Sequence, residues 1–261
     1  MSRERLVWAS EYAMPQLLEA YLDSTNPARQ EQVRGLLISQ GRMSILPLTT
    51  ALPKLDASQQ EQVVNVLGLI KYKTAIPFIA DLQSGTQSSD VRSACVRALE
   101  NLEAQGISGD IAGLYAQLAE GFYAERADLT SFAGEENQLL WEYNPGVGLT
   151  MQAIRTPVYH EAMAMRLLER SLTLRSDNHP ALALWIASNF RREIQTPSGY
   201  TNPAYPASRR EAMYYAVAAG SQVEQAVLAR AIDATDTPLA RRAIAALERS
   251  AGGASLWSAN D

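Results

Sequence analysis

Apolar and polar positions in the first hundred residues recur with a period of about thirty. Three segments place a proline after an apolar or small residue: Ala13-Met14-Pro15, Ile45-Leu46-Pro47 and Ala75-Ile76-Pro77. Proline is tolerated in the first helical turn, where its missing N–H would have no partner anyway, so each marks a helix start. Apolar residues follow at helical spacing: Leu17, Leu18, Tyr21 and Leu22; Leu48, Ala51 and Leu52; Phe78, Ile79 and Leu82. A polar break follows each of these helices. The breaks are 23–27, 54–58 and 84–90, whose Asp, Ser and Asn side chains can accept from the free N–H groups of a following helix. Second helices are predicted from Gln30-Glu31-Gln32-Val33, from Gln60-Glu61-Gln62-Val63 and from Asp90-Val91-Arg92 onward. In the third, Val91, Ala94, Cys95, Ala98, Leu99 and Leu102 form one apolar stripe.

Beyond residue 110 the pattern changes. A helix is predicted over 111–127, with Leu114, Tyr115, Leu118, Phe122 and Tyr123 on its buried face. A helical hairpin is predicted over 158–195, jointed at Arg175-Ser176-Asp177-Asn178-His179-Pro180. Between them lies an insert, 128–157, too rich in Phe132, Leu139, Leu140, Trp141, Tyr143, Val147 and Leu149 to remain in water, with a turn at Asn144-Pro145-Gly146. A second irregular segment, 196–207, carries Tyr200, Tyr205 and three prolines. Helices are then predicted over 208–219, 222–233 and 238–250, the last ended by Gly252-Gly253.

Forty alanines and the absence of alternating β-branched stretches exclude an all-β or βαβ reading. The expected fold class is all-α, an open α-α superhelix. Its expected parts are repeats over 1–109, a helical segment with an ordered insert over 110–207, and further helices with a tail over 208–261. A net charge of -5 disfavours a nucleic-acid reader. No apolar run is long enough to span a bilayer, and the N-terminus has no signal-like apolar core. The expectation is therefore a cytoplasmic protein, or a periplasmic one if the chain belongs to a longer precursor.

The A-x-P helix starts and the run D-V-R-x-A-x-x-x-A-L at Asp90–Leu99 resemble HEAT repeats, across about residues 10–105. The stretch Leu167-Leu168-Glu169-Arg170-Ser171-Leu172 with Asp177-Asn178-x-Pro180-Ala181 resembles the tetratricopeptide turn. It departs from that pattern in having its preceding helix some thirty residues upstream. Residues 140–149 and 187–194 give the whole a looser similarity to large helical-repeat proteins of planctomycete-type bacteria. This resemblance implies a scaffold for another protein or peptide, without catalysis or cofactor of its own.

The residue chemistry gives no competing signal. One cysteine excludes an intrachain disulfide, and two histidines exclude a histidine-rich metal centre. Gly146-Val147-Gly148 lacks the context of a dinucleotide loop, and His160-Glu161 lacks a second histidine four residues on. His160 is expected at a surface or helix start, His179 as a capping residue, Cys95 in the core, Met163 and Met165 as packing, and Glu135-Glu136 in a solvated loop. The partner-binding candidates are Trp141, Tyr143, Arg191, Arg192, Tyr200 and Tyr205. They rest on the expectation that both irregular segments lie against the 158–195 hairpin, because aromatic and arginine side chains commonly anchor binding surfaces. Apolar residues near both ends (Leu6-Val7-Trp8, Leu256-Trp257) suggest a second reading, a structural segment of a larger array. A third is an enzyme or regulatory domain with its site under the insert, which a pocket of perturbed titratable groups there would favour.

Overall fold

A computed structural model describes residues 10–104, 109–132 and 134–258, with backbone alone for 10 and 253–258. The described chain is mostly helical. Leu6-Val7-Trp8 lies outside the described residues, as do the side chains of Leu256 and Trp257. The chain divides into two compact units: Met1–Ile111 with Leu139–Ala153, and Ala112–Gln138 with Ile154–Asp261.

In the first unit helices come in pairs: α1 (Met14–Leu22) with α2 (Pro27–Gln40), α3 (Ile45–Ala51) with α4 (Ala57–Ile70), and α5 (Ile76–Gly85) with α6 (Ser89–Asn101). The expected caps are present at all three second helices. Asn26 Oδ1 accepts from Arg29 N at 3.0 Å and Ser88 Oγ from Val91 N at 3.3 Å. Asp56 and Gln59 exchange reciprocal bonds in a capping box. The apolar stripes meet inside, where Leu18, Leu37, Leu48, Leu52, Leu67 and Ile79 are almost wholly buried. The second helices also pack on one another, α2 on α4 and α4 on α6. Gly68 permits the closer of these approaches: a Cβ on it would stand 2.8 Å from Ala98 Cα. Tyr21 Oη donates to Gln62 O, and Gln30 Nε2 reaches Gln62 Oε1 at 3.5 Å, linking neighbouring pairs through polar atoms.

The insert corrects the purely helical expectation. It contains an antiparallel hairpin, β1 (Asn137–Asn144) and β2 (Gly148–Arg155), turning at Asn144–Gly148. Gly148 takes φ +88°, a conformation that favours glycine. β1 shows no alternation because Gln138, Leu139, Leu140 and Trp141 are buried in succession, so both of its faces are covered. β2 is the reverse, with 150–153 all exposed.

The second unit centres on a helical hairpin, α8 (Thr156–Leu174) and α9 (His179–Gln195), with α7 (Ile111–Tyr123) and three later helices, α10 (Ala212–Ala219), α11 (Ser221–Asp233) and α12 (Thr237–Ser258). α9 packs on α8, α10, α11 and α12. Both central helices are buried around most of their circumference, including Val158–Met165 and Ala183–Phe190. Several boundaries differ from expectation. α7 ends at Tyr123 rather than 127, and Leu114 and Leu118 are half-buried. α10 begins at Ala212 rather than 208, once Glu193 Oε1 accepts from Ala212 N at 2.7 Å. α12 runs through Gly252-Gly253 instead of stopping before them. Among the described residues no helix is long and apolar enough to cross a membrane.

Candidate functional site

The densest polar arrangement of the second unit surrounds Arg191. Its guanidinium donates from one terminal nitrogen to Tyr123 O at 2.8 Å and from the other to Glu125 Oε1 at 2.7 Å. Its Nε stands 3.6 Å from Glu161 Oε1 and 3.8 Å from Asp236 Oδ2. The cation also lies 4.5 Å from the centre of the Tyr123 ring. One guanidinium thus serves three carboxylates, drawn from α8, from the residues after α7, and from the turn between α11 and α12.

Glu161 is the unusual member, because it is fully buried. With the Gln195 amide oriented to suit its partners, that nitrogen donates to both Glu161 oxygens at 3.0 Å and to Pro157 O at 2.5 Å. These bonds favour the carboxylate, as does Arg191. Burial outweighs them and pushes the Glu161 carboxyl up to about 7, with Glu125 and Asp236 adding repulsion. The neighbouring His160 is shifted the other way. Burial holds its imidazole below the ordinary histidine value. This corrects the expectation of a surface histidine: at 6% exposure His160 packs edge-on against Tyr159, with ring centres 5.3 Å apart, while Nε2 lies 3.4 Å from Thr130 Oγ1. The correction follows from α8 being buried all round, so even its polar positions face protein.

His160 and Gln195 border a cavity of about 620 Å³ at the foot of the insert. Glu125, Glu135, Glu136, Arg155, Thr156, Pro157 and Pro197 complete its wall. Arg155 pairs with Glu136, and Thr156 Oγ1 donates to Glu135 O at 2.6 Å. Glu135 and Glu136 are exposed, as a solvated loop requires. A groove of about 990 Å³ runs between α7, the start of α9 and α11, floored by Ala183, Ala226 and Ala229. The bidentate pair of Arg230 with Glu120 stands at its side. No group of three or more metal-ligating side chains occurs among the described residues.

The six partner-binding candidates fall in different places. Trp141 and Tyr143 belong to the first unit, where Trp141 is buried and Tyr143 O accepts from Lys54 Nζ at 2.7 Å. Arg191, Arg192, Tyr200 and Tyr205 belong to the second. There Gln195, at the hairpin exit, reaches Pro157 O, so the end of the insert lies beside that exit. Arg192 lies 3.6 Å above the Tyr205 ring and donates from Nε to Asn189 Oδ1 at 2.9 Å. Tyr205 Oη donates to Arg210 O at 2.5 Å and accepts from Asn189 Nδ2 at 3.3 Å. Tyr200 Oη accepts from Arg155 N at 3.1 Å. All six are buried or half-buried; the Tyr205 contacts fasten the 196–211 segment onto α9, and Tyr200 ties it to the end of β2.

Two other single residues behave as expected or nearly so. Cys95 is fully buried, and burial raises its thiol to about 12. At the α8–α9 joint the cap is Asn178 rather than His179: Asn178 Oδ1 accepts from Ala181 N at 3.3 Å, and the exposed His179 turns Nδ1 toward Asp177 O.

No family model, curated protein or solved structure matches this chain.

Proposed function

We propose that the chain is a helical-repeat scaffold of HEAT type that binds another protein or peptide through the second helices of its first unit. The observation that supports this reading is the side-by-side packing of α2, α4 and α6, each closed beneath by its own first helix. Stacked pairs of this kind create an extended surface on which neighbouring helices present side chains to a partner. Here that surface includes two large apolar residues left in water, Leu69 at 44% and Val96 at 40% exposure, among the polar Glu31, Arg34, Glu61 and Arg97. No catalysis is assigned to it.

Affinity capture from the native host, with the intact chain as bait, tests this. The reading expects a partner retained by the wild type and lost from the Leu69→Glu/Val96→Glu double variant at unchanged melting temperature. A partner retained equally by the double variant rejects this surface.

One observation favours a second reading, a small-molecule or regulatory site in the second unit: the cavity beside the insert is bordered by His160, whose imidazole burial holds below its ordinary value, and by Gln195, which bonds the buried Glu161 behind it. A compound panel that raises the melting temperature of the wild type and not that of Glu135→Gln supports it. A panel that raises neither rejects it.

A further inference from the structure

The ladder of the β-hairpin leaves one edge open, and its register says which groups are open. Thr156 N donates to Glu136 O at 2.9 Å, which makes 136 and 156 a hydrogen-bonded pair. In an antiparallel ladder such pairs alternate along the strands, so 138 pairs with 154, 140 with 152, 142 with 150 and 144 with 148. The remaining residues of β2, at 149, 151, 153 and 155, turn their N–H and C=O groups away from β1. The Arg155 N–H obeys this register, because it points outward and donates to Tyr200 Oη. On the opposite edge of the hairpin the Tyr143 carbonyl also points outward and accepts from Lys54 Nζ.

Met151 and Ala153 have no such cover. Four successive residues, 150–153, are exposed, so both faces and the outer edge of β2 are in water there. Proteins ordinarily blunt a free edge with lysine, proline, a bulge or an inward charge. The sequence Leu149-Thr150-Met151-Gln152-Ala153 holds none of them.

We propose that this edge is a self-association site: β2 pairs antiparallel with β2 of a second copy, joining two hairpins into a four-stranded sheet. A two-fold axis at Met151 makes the segment self-complementary, as a closed dimer requires. Met151 then faces Met151 in a hydrogen-bonded pair, Thr150 faces Gln152, and Leu149 faces Ala153. No ionised side chain meets its own copy, the arrangement that would destabilise cross-strand pairing. Tyr200, which occupies the Arg155 N–H, marks where the shared ladder ends. This inference does not depend on the scaffold reading, which concerns the helical face of the first unit.

Light scattering on the full chain after gel filtration, at rising micromolar concentration, tests it. The wild type is expected to approach twice the chain mass. Met151→Pro removes an outward N–H and no bond to β1, so it is expected to remain monomeric with unchanged circular dichroism. Met151→Lys places a charge against its own copy and guards against a folding defect of the proline variant; it too is expected to be monomeric. Hydrogen exchange should show the Met151 and Ala153 amides protected in the dimer and open in the variants. A wild type that stays monomeric throughout overturns the proposal, and so does a dimer that survives in Met151→Lys.

Discussion

At the scale of single residues the second unit turns on Glu161. Its carboxyl is raised from an ordinary 4.5 to about 7, so the folded state binds its proton more tightly than the unfolded chain does. Stability from this group is therefore complete below about pH 4.5 and is lost as pH rises through 7. For a fully buried group a shift of this size corresponds to about 3 kcal/mol. Glu161→Gln keeps the shape and an acceptor oxygen near Arg191 but cannot ionise. Urea titrations of wild type and variant at pH 5 and pH 8 should show wild-type stability falling relative to the variant at the higher pH. Curves that stay parallel would mean that Glu161 remains ionised throughout. Neither Glu161 nor its neighbour was legible as a site in the sequence. His160-Glu161 reads as a failed metal motif at a helix start, and nothing local says that α8 is covered on every side. Cys95 was legible, because its place on the stripe of α6 decides its burial without tertiary knowledge.

At the scale of elements the most readable features were those set by local chemistry. Proline in the first turn, Asn, Asp or Ser at the cap, and apolar residues at helical spacing are all decided within one turn of the chain. The hairpin of the insert was not readable, for a physical reason. Strands announce themselves by alternation when one face is buried and the other wet. β1 buries Leu139, Leu140 and Trp141 in succession and β2 exposes 150–153 in succession, so neither alternates. The glycine break expected at 252–253 fails similarly, since glycine weakens a helix by only about 1 kcal/mol, which neighbouring turns absorb. Gly68 carries the opposite message. It sits inside α4, where propensity disfavours it, and the closeness of Ala98 explains it. Gly68→Ala gains helix propensity but forces α4 and α6 apart. The expected result is a net destabilisation of about 1–3 kcal/mol, measurable by thermal unfolding. A variant as stable as the wild type would show that the helices shift at no cost.

At the scale of the whole molecule the thirty-residue period delimits where the repeat reading applies. The three helix pairs and their second-helix contacts lie in the first unit, whereas the ion cluster of Arg191, Glu161, Glu125 and Asp236 lies in the second. The chain therefore distributes two kinds of cohesion: apolar stripes with capped ends in one unit, and in the other an apolar core that an ion cluster enters from the surface, with Glu161 alone fully buried. These respond differently to pH. Cys95 has no effect in the physiological range, its thiol staying protonated, and the caps of α2 and α4 lie at exposed sites while that of α6 is a serine. Glu161 ionises near neutrality in a position that water does not reach. Native-state hydrogen exchange, expressed as protection factors so that the intrinsic pH dependence of exchange is discounted, reads the two units separately. Between pH 5 and pH 8 the amides of α8 and α9 should lose protection, whereas those of α4 and α6 should hold theirs. In Glu161→Gln the loss in α8 and α9 should disappear. An equal loss in all four helices would place the pH response outside the Arg191 cluster, in a property shared by the entire chain such as its net negative charge.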